Sequence, residues 1–517
     1  MRRNTAVRGR YALAISILLI FGSAAVHTVP AMSQGRSVTV AIGSEIGSLD
    51  THESTGTPAH TIRSHIFEGL VRLTNRATIE PLLATRWQVA PDQRTWTFDL
   101  RKDVRFQDGT PFTAQAVKAN LDRVRDPAEK HTRAAQFRAI ETVQPLNPWR
   151  VRIVTKAPFS PFLLDLAYGG GAFMSPTALT RYGKDIGTYP VGTGPYQLAS
   201  MEPGVSVDLV RNAHYWGATP ALDRVRFIIA KEASTRLAML QTAQADVIAD
   251  VPPQDVARLR RDSQVNVLTL PSNYVLHLII NVVAPVLRDT RVRQALNYGV
   301  NREALSGSLL FGLAHPAHSI VAPSVVGYAD TWHYPYDPSQ ARRLLAAAGY
   351  PRGFDVTIAT PDGRYPMDKQ IVEALQGQLA QIGVRATVHV MDWGSYLAYL
   401  RVPASQSTAQ LSLLADNNPT FDISWLLDYE FNTRNLPPAG FNVEHYSNPE
   451  VDQLIDRALA TMDDVRRQQL WTRLQERIAD DAPWVLLLIY DQSVGITKTL
   501  SGVDVLPDGT ILLTRAR

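Results

Sequence analysis

The sequence predicts an α/β protein built from more than one domain, and three observations carry this. The chain has 517 residues, more than one hydrophobic core organises, which points to two or three domains. Its composition, 45% hydrophobic and 19% charged, is that of an ordinary soluble globular protein. From residue 225 onward, segments with the two-residue period of strands alternate with segments that carry helix caps and helical periodicity. That alternation implies a mixed or parallel sheet with helices on its faces.

The first 33 residues hold Arg2, Arg3, Arg8 and Arg10 but no acid, then an apolar run over residues 11–21, then Ala31-Met32-Ser33. This order reads as a secretory signal peptide cleaved near Ser33-Gln34. The apolar run is about half of the roughly 20 residues that span a bilayer. Without this segment the 52 basic and 48 acidic residues of the chain come into balance. The pI near 9.1 therefore gives no argument for a polyanionic partner such as nucleic acid. The chain has no cysteine, which excludes disulfides, thiolate metal sites, cysteine catalysis and a lipidated N-terminal cysteine.

Residues 37–42 alternate as a strand, through Val38, Val40 and Ile42. Residues 43–57 are polar and turn-rich, and residues 59–70 read as a helix. In residues 81–121, Trp96, Phe98 and Leu100 alternate with Thr95, Thr97 and Asp99, and Val104 and Phe106 repeat that spacing. Asp108-Gly109 marks a turn, and Thr113 stands where a helix N-cap belongs. The reading is a hairpin that feeds a helix. Residues 151–155 form a further strand. Gly169-Gly170-Gly171 lets a backbone approach closely, without the spacing or the Lys-Ser/Thr of a phosphate loop. Residues 225–229, 233–245 and 246–248 read as strand, helix and strand, and residues 277–281 as a strand. Asp289 and Asn301 each start a helix. Asp337-Pro338 starts another that stops at Gly349, and Gly383 closes a helix over residues 367–382. Strands over 356–359 and 384–390 flank it. Asn448-Pro449 opens a helix over 450–459, a second covers 464–479, and residues 484–489 read as a buried strand.

The run P-L-L-A-x-x-W from Pro81, followed by W-T-F-x-L-R-x-x-V-x-F-x-D-G-x-P-F-T-A from Trp96, resembles the signature of the solute-binding proteins of peptide/nickel-type ABC importers, solute-binding family 5. V-G-T-G-P-Y at 191–196, R-N-x-x-Y-W at 211–216 and Y-S-N-P-E-V-D-x-L-I from Tyr446 resemble the same family. The likeness covers nearly the whole chain after residue 33. It implies a two-lobed periplasmic binding protein of type II, the Venus-flytrap build, with an extra subdomain in the first lobe. Lobe I then comprises residues 34–74, 190–272 and 488–517, the extra subdomain residues 75–189, and lobe II residues 273–487. The resemblance further implies a periplasmic monomer without a cofactor. It captures a small-molecule or peptide ligand and presents it to ABC permease subunits driven by cytoplasmic ATPases.

Enzyme signatures are missing: neither G-x-S-x-G nor H-E-x-x-H occurs, and no spacing nominates a catalytic carboxylate pair. His52, His60 and His65, and His315 with His318, lack the i, i+4 spacing of a helical metal fork. No resident metal is expected; a metal would enter inside a small chelate. Binding of an organic solute fits better, because aromatics supply apolar area and fixed polar groups orient the ligand. Toward the first lobe the candidates are Thr55, His60 and Gly170. Around the second they are Tyr274, Asn281, Trp393, Asp416, Asn417, Asp422 and Trp425. Peptide-binding relatives keep an aspartate in a G-W-x-x-D run here, which pairs with the ligand's α-ammonium. This chain has no G-W at that place, and Asp416 and Asp422 both stand open as the anchor. The run N-L-P-P-A-G-F-N-V-E-H-Y-S-N from Asn435 most resembles glutathione- and dipeptide-type receptors. The expected solute is peptide-like: a di- or oligopeptide, or a glutathione-like compound. The alternatives are a nickel chelate or other small non-peptide solute, or a free-standing sensory or chaperone-like binder.

Overall fold

Two long strands organise the fold. In the computed structural model, which describes residues 35–53, 56–74, 78–418 and 420–517, Val265–Ile280 runs antiparallel to Trp484–Thr497. The signal-peptide segment and Thr55 lie outside the described residues. The sequence pattern marks only the apolar ends of these strands, because Pro271 in one and Asp491 to Ser493 in the other interrupt it. Pairing with neighbours carries both strands through. The ladder shifts register twice, between Pro271 and Val275 and again between Leu276 and His277. In the first gap Ser272 Oγ donates to the Tyr490 carbonyl at 2.7 Å.

The two strands sit in the middle of an 11-stranded sheet. Toward one edge follow Val247–Ile248, Ser37–Ile42, Arg224–Ile229, Ser206–Arg211 and Tyr196–Glu202. Toward the other follow Leu411–Asn417, Phe354–Pro361 and Val384–Met391, and the eleventh strand, Ala314–Pro316, pairs with Trp484–Thr497 off this path. Ser37–Ile42 is parallel to both its neighbours, and so is Phe354–Pro361; the other pairs are antiparallel. The sheet is therefore mixed, as the β–α alternation predicts. Leu278, Ile358, Leu413, Trp471 and Trp484 belong to one buried core. Val40, Tyr196, Phe227 and Leu513 belong to a second.

A third core, with Trp96, Phe98, Val117 and Ile153, lies under a separate antiparallel sheet. Its strand order is Ala84–Val89, Thr95–Leu100, Arg150–Thr155, Ile140–Asn147. Here the structure corrects the expected hairpin. Val104 and Phe106 are buried, but a single bridge, Arg105 to Pro111, is all the pairing around the turn. The partners of Thr95–Leu100 are Ala84–Val89 and Arg150–Thr155. The turn instead docks onto residues 191–196. Gln107 Oε1 accepts from the Gly192 N–H at 2.9 Å, and its Nε2 donates to the Tyr196 carbonyl at 2.8 Å. A Cβ on Gly192 would stand 2.0 Å from the Ile66 carbonyl oxygen, so only glycine fits there. Helix Ala114–Arg125 follows Thr113 as the sequence predicts, although the Thr113 side chain makes no cap bond.

The C-terminal tail is bolted to helix Thr57–Ile66 by a buried histidine. His65 Nδ1 donates to the Thr61 carbonyl at 2.8 Å, and Nε2 accepts from the Leu513 N–H at 3.0 Å. This arrangement requires the neutral ring, and burial lowers its pKa to about 4. The folded value thus lies below the unfolded one. The stabilisation is whole above the unfolded pKa of about 6.5 and is lost as pH falls toward about 4, on the order of 3 kcal/mol. The expected result in denaturant unfolding is that the stability gap between wild type and His65→Gln shrinks from pH 7 to pH 4. A gap that stays constant over that range refutes it.

Candidate functional site

The break in the long strands is where the candidate residues gather. Tyr274 pairs with Asn417 and Val275 with Asp416, at the end of strand Leu411–Asn417. From the first lobe, helix Thr57–Ile66 faces this point. Its Thr57 hydrogen-bonds with Tyr274, and Thr57 Oγ1 donates to the Asp508 carbonyl at 3.1 Å. The His60 ring lies 4.5 Å from that of Tyr168, and the Arg133 guanidinium lies 5.3 Å from the same ring. Burial first, then Arg133 and Arg63, lower the His60 pKa to about 3, so the ring is neutral. From the second lobe, the Arg364 guanidinium lies 4.9 Å from the Trp393 ring and 5.8 Å from that of Tyr365. Among the described residues the Arg364 guanidinium makes no ion pair. Its cation therefore stacks on aromatic faces without a carboxylate of its own.

The acid of this site is Asp416, 15% exposed, with Oδ2 3.4 Å from His277 Nε2. Burial pushes its carboxyl up to about 7. Two further acids stand beside it. Glu430, on the π-helical turn Leu427–Phe431, is fully buried. Burial, then Asp416 and Glu444, push its carboxyl well above the ordinary range. Glu444, also fully buried, accepts from Trp484 Nε1 and is pushed up to about 8 by burial. Among the described residues no lysine or arginine pairs with any of the three.

Four candidates have other duties. Asp422 caps the short helix Ile423–Leu426: its Oδ1 accepts from the Ser424 N–H at 2.8 Å, and the residue is 2% exposed. That leaves Asp416 as the open acid of the two. Asn281 is consumed by the chain, donating to Ser407 Oγ at 3.2 Å and to the Ala409 carbonyl at 2.8 Å while accepting from the Val283 N–H. Gly170 packs against Arg133, Gln136 and Phe137, each within about 3.1 Å of where a Cβ would stand; close packing explains this glycine. Trp425 stacks on Tyr429, which stacks on Phe441. His60, Tyr274, Trp393, Asp416 and Asn417 are brought to the crossing.

Sequence reasoning misses Arg133, Tyr168, Arg364, Tyr365, Glu430 and Glu444. A signal for Arg364 exists: it follows the carboxyl end of the parallel strand Phe354–Pro361, where open α/β sheets bind ligands. Contacts also cross from the third core to the second lobe. Arg138 pairs with Asp428, which Arg434 also holds, and the Ser160 N–H donates to the Leu459 carbonyl at 3.0 Å.

Two α/β lobes joined by long shared strands, with polar and aromatic groups at the crossing, define a type II periplasmic binding protein. Residues 78–438 match the family described as bacterial extracellular solute-binding proteins, family 5 Middle, and the chain belongs to that family. The glutathione-binding protein GsiB of Escherichia coli (strain K12) is 35% identical over 476 residues, covering 92% of this chain and 93% of that protein. The periplasmic binding protein DppA of Helicobacter pylori, solved with the peptide STSA, superposes with a TM-score of 0.79 at 23% identity, over 93% of this chain and 98% of that one. NikZ of Campylobacter jejuni, solved with Ni(L-His), gives 0.79 at 23% identity, over 90% and 95%. The chain is thus a solute-binding protein of the kind that serves ABC importers. No helix among the described residues is long and apolar enough to cross a membrane.

Proposed function

We propose that this protein is a monomeric periplasmic receptor that captures a peptide-like solute, a short peptide or a glutathione-like compound, and delivers it to an ABC permease without catalysing a reaction. The observation that carries the reading is the dipolar pair at the crossing. Among the described residues Asp416 is a partly exposed acid without a lysine or arginine partner, and Arg364 is an exposed cation without a carboxylate partner. A solute with an ammonium and a carboxylate satisfies both; a single charge satisfies one. The 35% identity to a glutathione-binding protein supports the same class. Lobe I is assigned to residues 34–74, 190–272 and 488–517, the subdomain to 75–189, and lobe II to 273–487. The segregation of the buried cores supports this division. The register break beside Ser272 and Tyr490 acts as the hinge, and the Arg138–Asp428 pair as a contact of the closed state.

Mass spectrometry of solute released from the purified protein identifies the ligand. Small-angle scattering with and without that compound is expected to show a smaller radius of gyration in its presence, together with a higher melting temperature. An unchanged radius with bound solute rules out the hinge.

A further inference from the structure

Behind the exposed edge of Asp416, groups that accept hydrogen bonds face one another. His277 is fully buried, its ring stacked on Trp484 with 3.6 Å between centroids and 12° between planes. Its Nδ1 lies 3.1 Å from the Val275 carbonyl oxygen. A carbonyl only accepts, so Nδ1 carries the hydrogen and Nε2 presents a lone pair. Among the described residues no donor meets that lone pair, which lies 3.4 Å from Asp416 Oδ2. Among the described residues no amide, hydroxyl, lysine or arginine donor meets Asp416 Oδ2 or either carboxyl oxygen of Glu430; the Glu430 carboxyl bonds those of Asp416 and Glu444 only where a proton sits between them. One ligand atom each of His277, Asp416 and Glu430 lie within 4.8 Å of one another. Glu444 stands next to Glu430, with Oε1 taken by Trp484 Nε1 and its carboxyl in hydrogen-bond reach of the Glu430 carboxyl when one of the two carries a proton.

Lone pairs packed against carboxyl oxygens in a low-dielectric interior repel unless something positive lies between them. A solute's ammonium enters from the cleft and meets Asp416, since His277, Glu430 and Glu444 have no exposed surface. A bare ion is small enough to sit among the buried atoms. We propose that His277, Asp416 and Glu430 form a site for one divalent transition-metal ion beneath the solute cleft, with Glu444 orienting Glu430. One imidazole with two carboxylates suits zinc, nickel, cobalt or manganese better than magnesium or calcium, which favour all-oxygen shells. The bond from Nδ1 to a backbone carbonyl is the one that orients ligating imidazoles. Such an ion holds Asp416 in place from behind. The inference goes beyond the receptor reading and does not depend on which solute is carried.

The test uses the full chain, treated with chelator and freed of solute, and titrates it with Zn²⁺ or Ni²⁺ alone. One ion per chain and a raised melting temperature are expected. His277→Gln and Glu430→Gln are each expected to weaken binding by at least about tenfold, the lower bound for changes even one shell further out. Should a variant not fold, Co²⁺ in the wild type supplies a second measurement. Ligand-field absorption reports nitrogen and oxygen donors, and anomalous scattering places the ion among residues 277, 416 and 430. No ion bound, or equal binding in both folded variants, overturns the site, and protons alone then hold the cluster. Solute capture is measured on the same chelated protein. Capture without ion binding overturns the metal site and leaves the receptor reading standing, whereas ion binding without capture of any solute does the reverse.

Discussion

Asp416→Asn is expected to weaken binding of the captured solute by about 30- to several-thousand-fold, the equivalent of roughly 2–5 kcal/mol. The substitution keeps the shape of the side chain and removes its charge. Its size follows from burial. An exposed ion pair contributes only about 0–1 kcal/mol, but Asp416 is 15% exposed with no lysine or arginine paired to it among the described residues. A cation that docks there is desolvated, and breaking such a pair leaves the cation buried and unpaired. Asp422→Asn is the control. Asp422 caps Ile423–Leu426 through its bond from the Ser424 N–H, and asparagine is an equally good cap. That variant should bind within about threefold of wild type, since it touches no exposed charge. Titration calorimetry with the solute identified by mass spectrometry reads both. If Asp416→Asn binds within threefold and Asp422→Asn does not, the anchor is Asp422 and the helix-cap assignment is incomplete. If neither changes, the ammonium docks elsewhere and the peptide-like class loses its main support.

Much of this architecture is legible in the sequence, and the illegible parts have physical reasons. Asp337, Asn448, Asp289 and Asn301 all cap helices where they are expected, because a capping side chain acts on backbone within three residues. Val265–Ile280 is only partly legible. Its length is set by pairing with residues more than 200 positions away, and Pro271 masks it locally. The likeness to an anchoring aspartate offers Asp416 and Asp422 equally, and only the structure separates their surroundings: Asp422 accepts from the Ser424 N–H, whereas Asp416 keeps an exposed edge. Asn281 reads as a cleft amide and is a tie between loops. Arg364 is signalled only by its place just after the parallel strand Phe354–Pro361, and what gives it weight is the two aromatic faces beneath it; Glu430 has no local signature, and it matters because His277 and Asp416 arrive from different strands. The sequence motifs themselves are informative in an unexpected way. V-G-T-G-P-Y bonds R-N-x-x-Y-W, the Gln107 turn and the end of helix Thr57–Ile66, and among the described residues none of the three motifs hydrogen-bonds Asp416. They form the joint that ties the turn at Gln107 and the third core to the end of helix Thr57–Ile66.

That joint gives the second large effect. Glu68→Ala is expected to cost about 3–5 kcal/mol of folding stability, estimated from roughly 1–3 kcal/mol for each buried donor left without a partner. Glu68 is 7% exposed and accepts three bonds of 2.8 Å, from Thr193 Oγ1, Tyr215 OH and Trp216 Nε1. Each donor comes from one of the two motifs that flank the joint. The Trp216 ring also carries the Arg101 guanidinium 4.4 Å from its centroid, so loosening Trp216 frees a residue of the long signature as well. Two terms reduce the cost below the sum of three lost bonds. Tyr215 and Trp216 are only half-buried and recover some water, and removing the carboxyl also removes the burial that raises its pKa. Glu68→Gln should therefore cost less than Glu68→Ala, since its amide oxygen still accepts while its NH₂ faces a donor. Urea unfolding followed by tryptophan fluorescence reads the difference, because Trp96 and Trp216 lie in or against the third core. The folded fraction of Glu68→Ala should bind solute with affinity within a few-fold of wild type, as the side-chain partners of Glu68 among the described residues, Thr193, Tyr215 and Trp216, belong to the joint. A loss below about 1 kcal/mol would show that the three donors find water instead, and a folded variant that no longer binds would move Glu68 into the solute site.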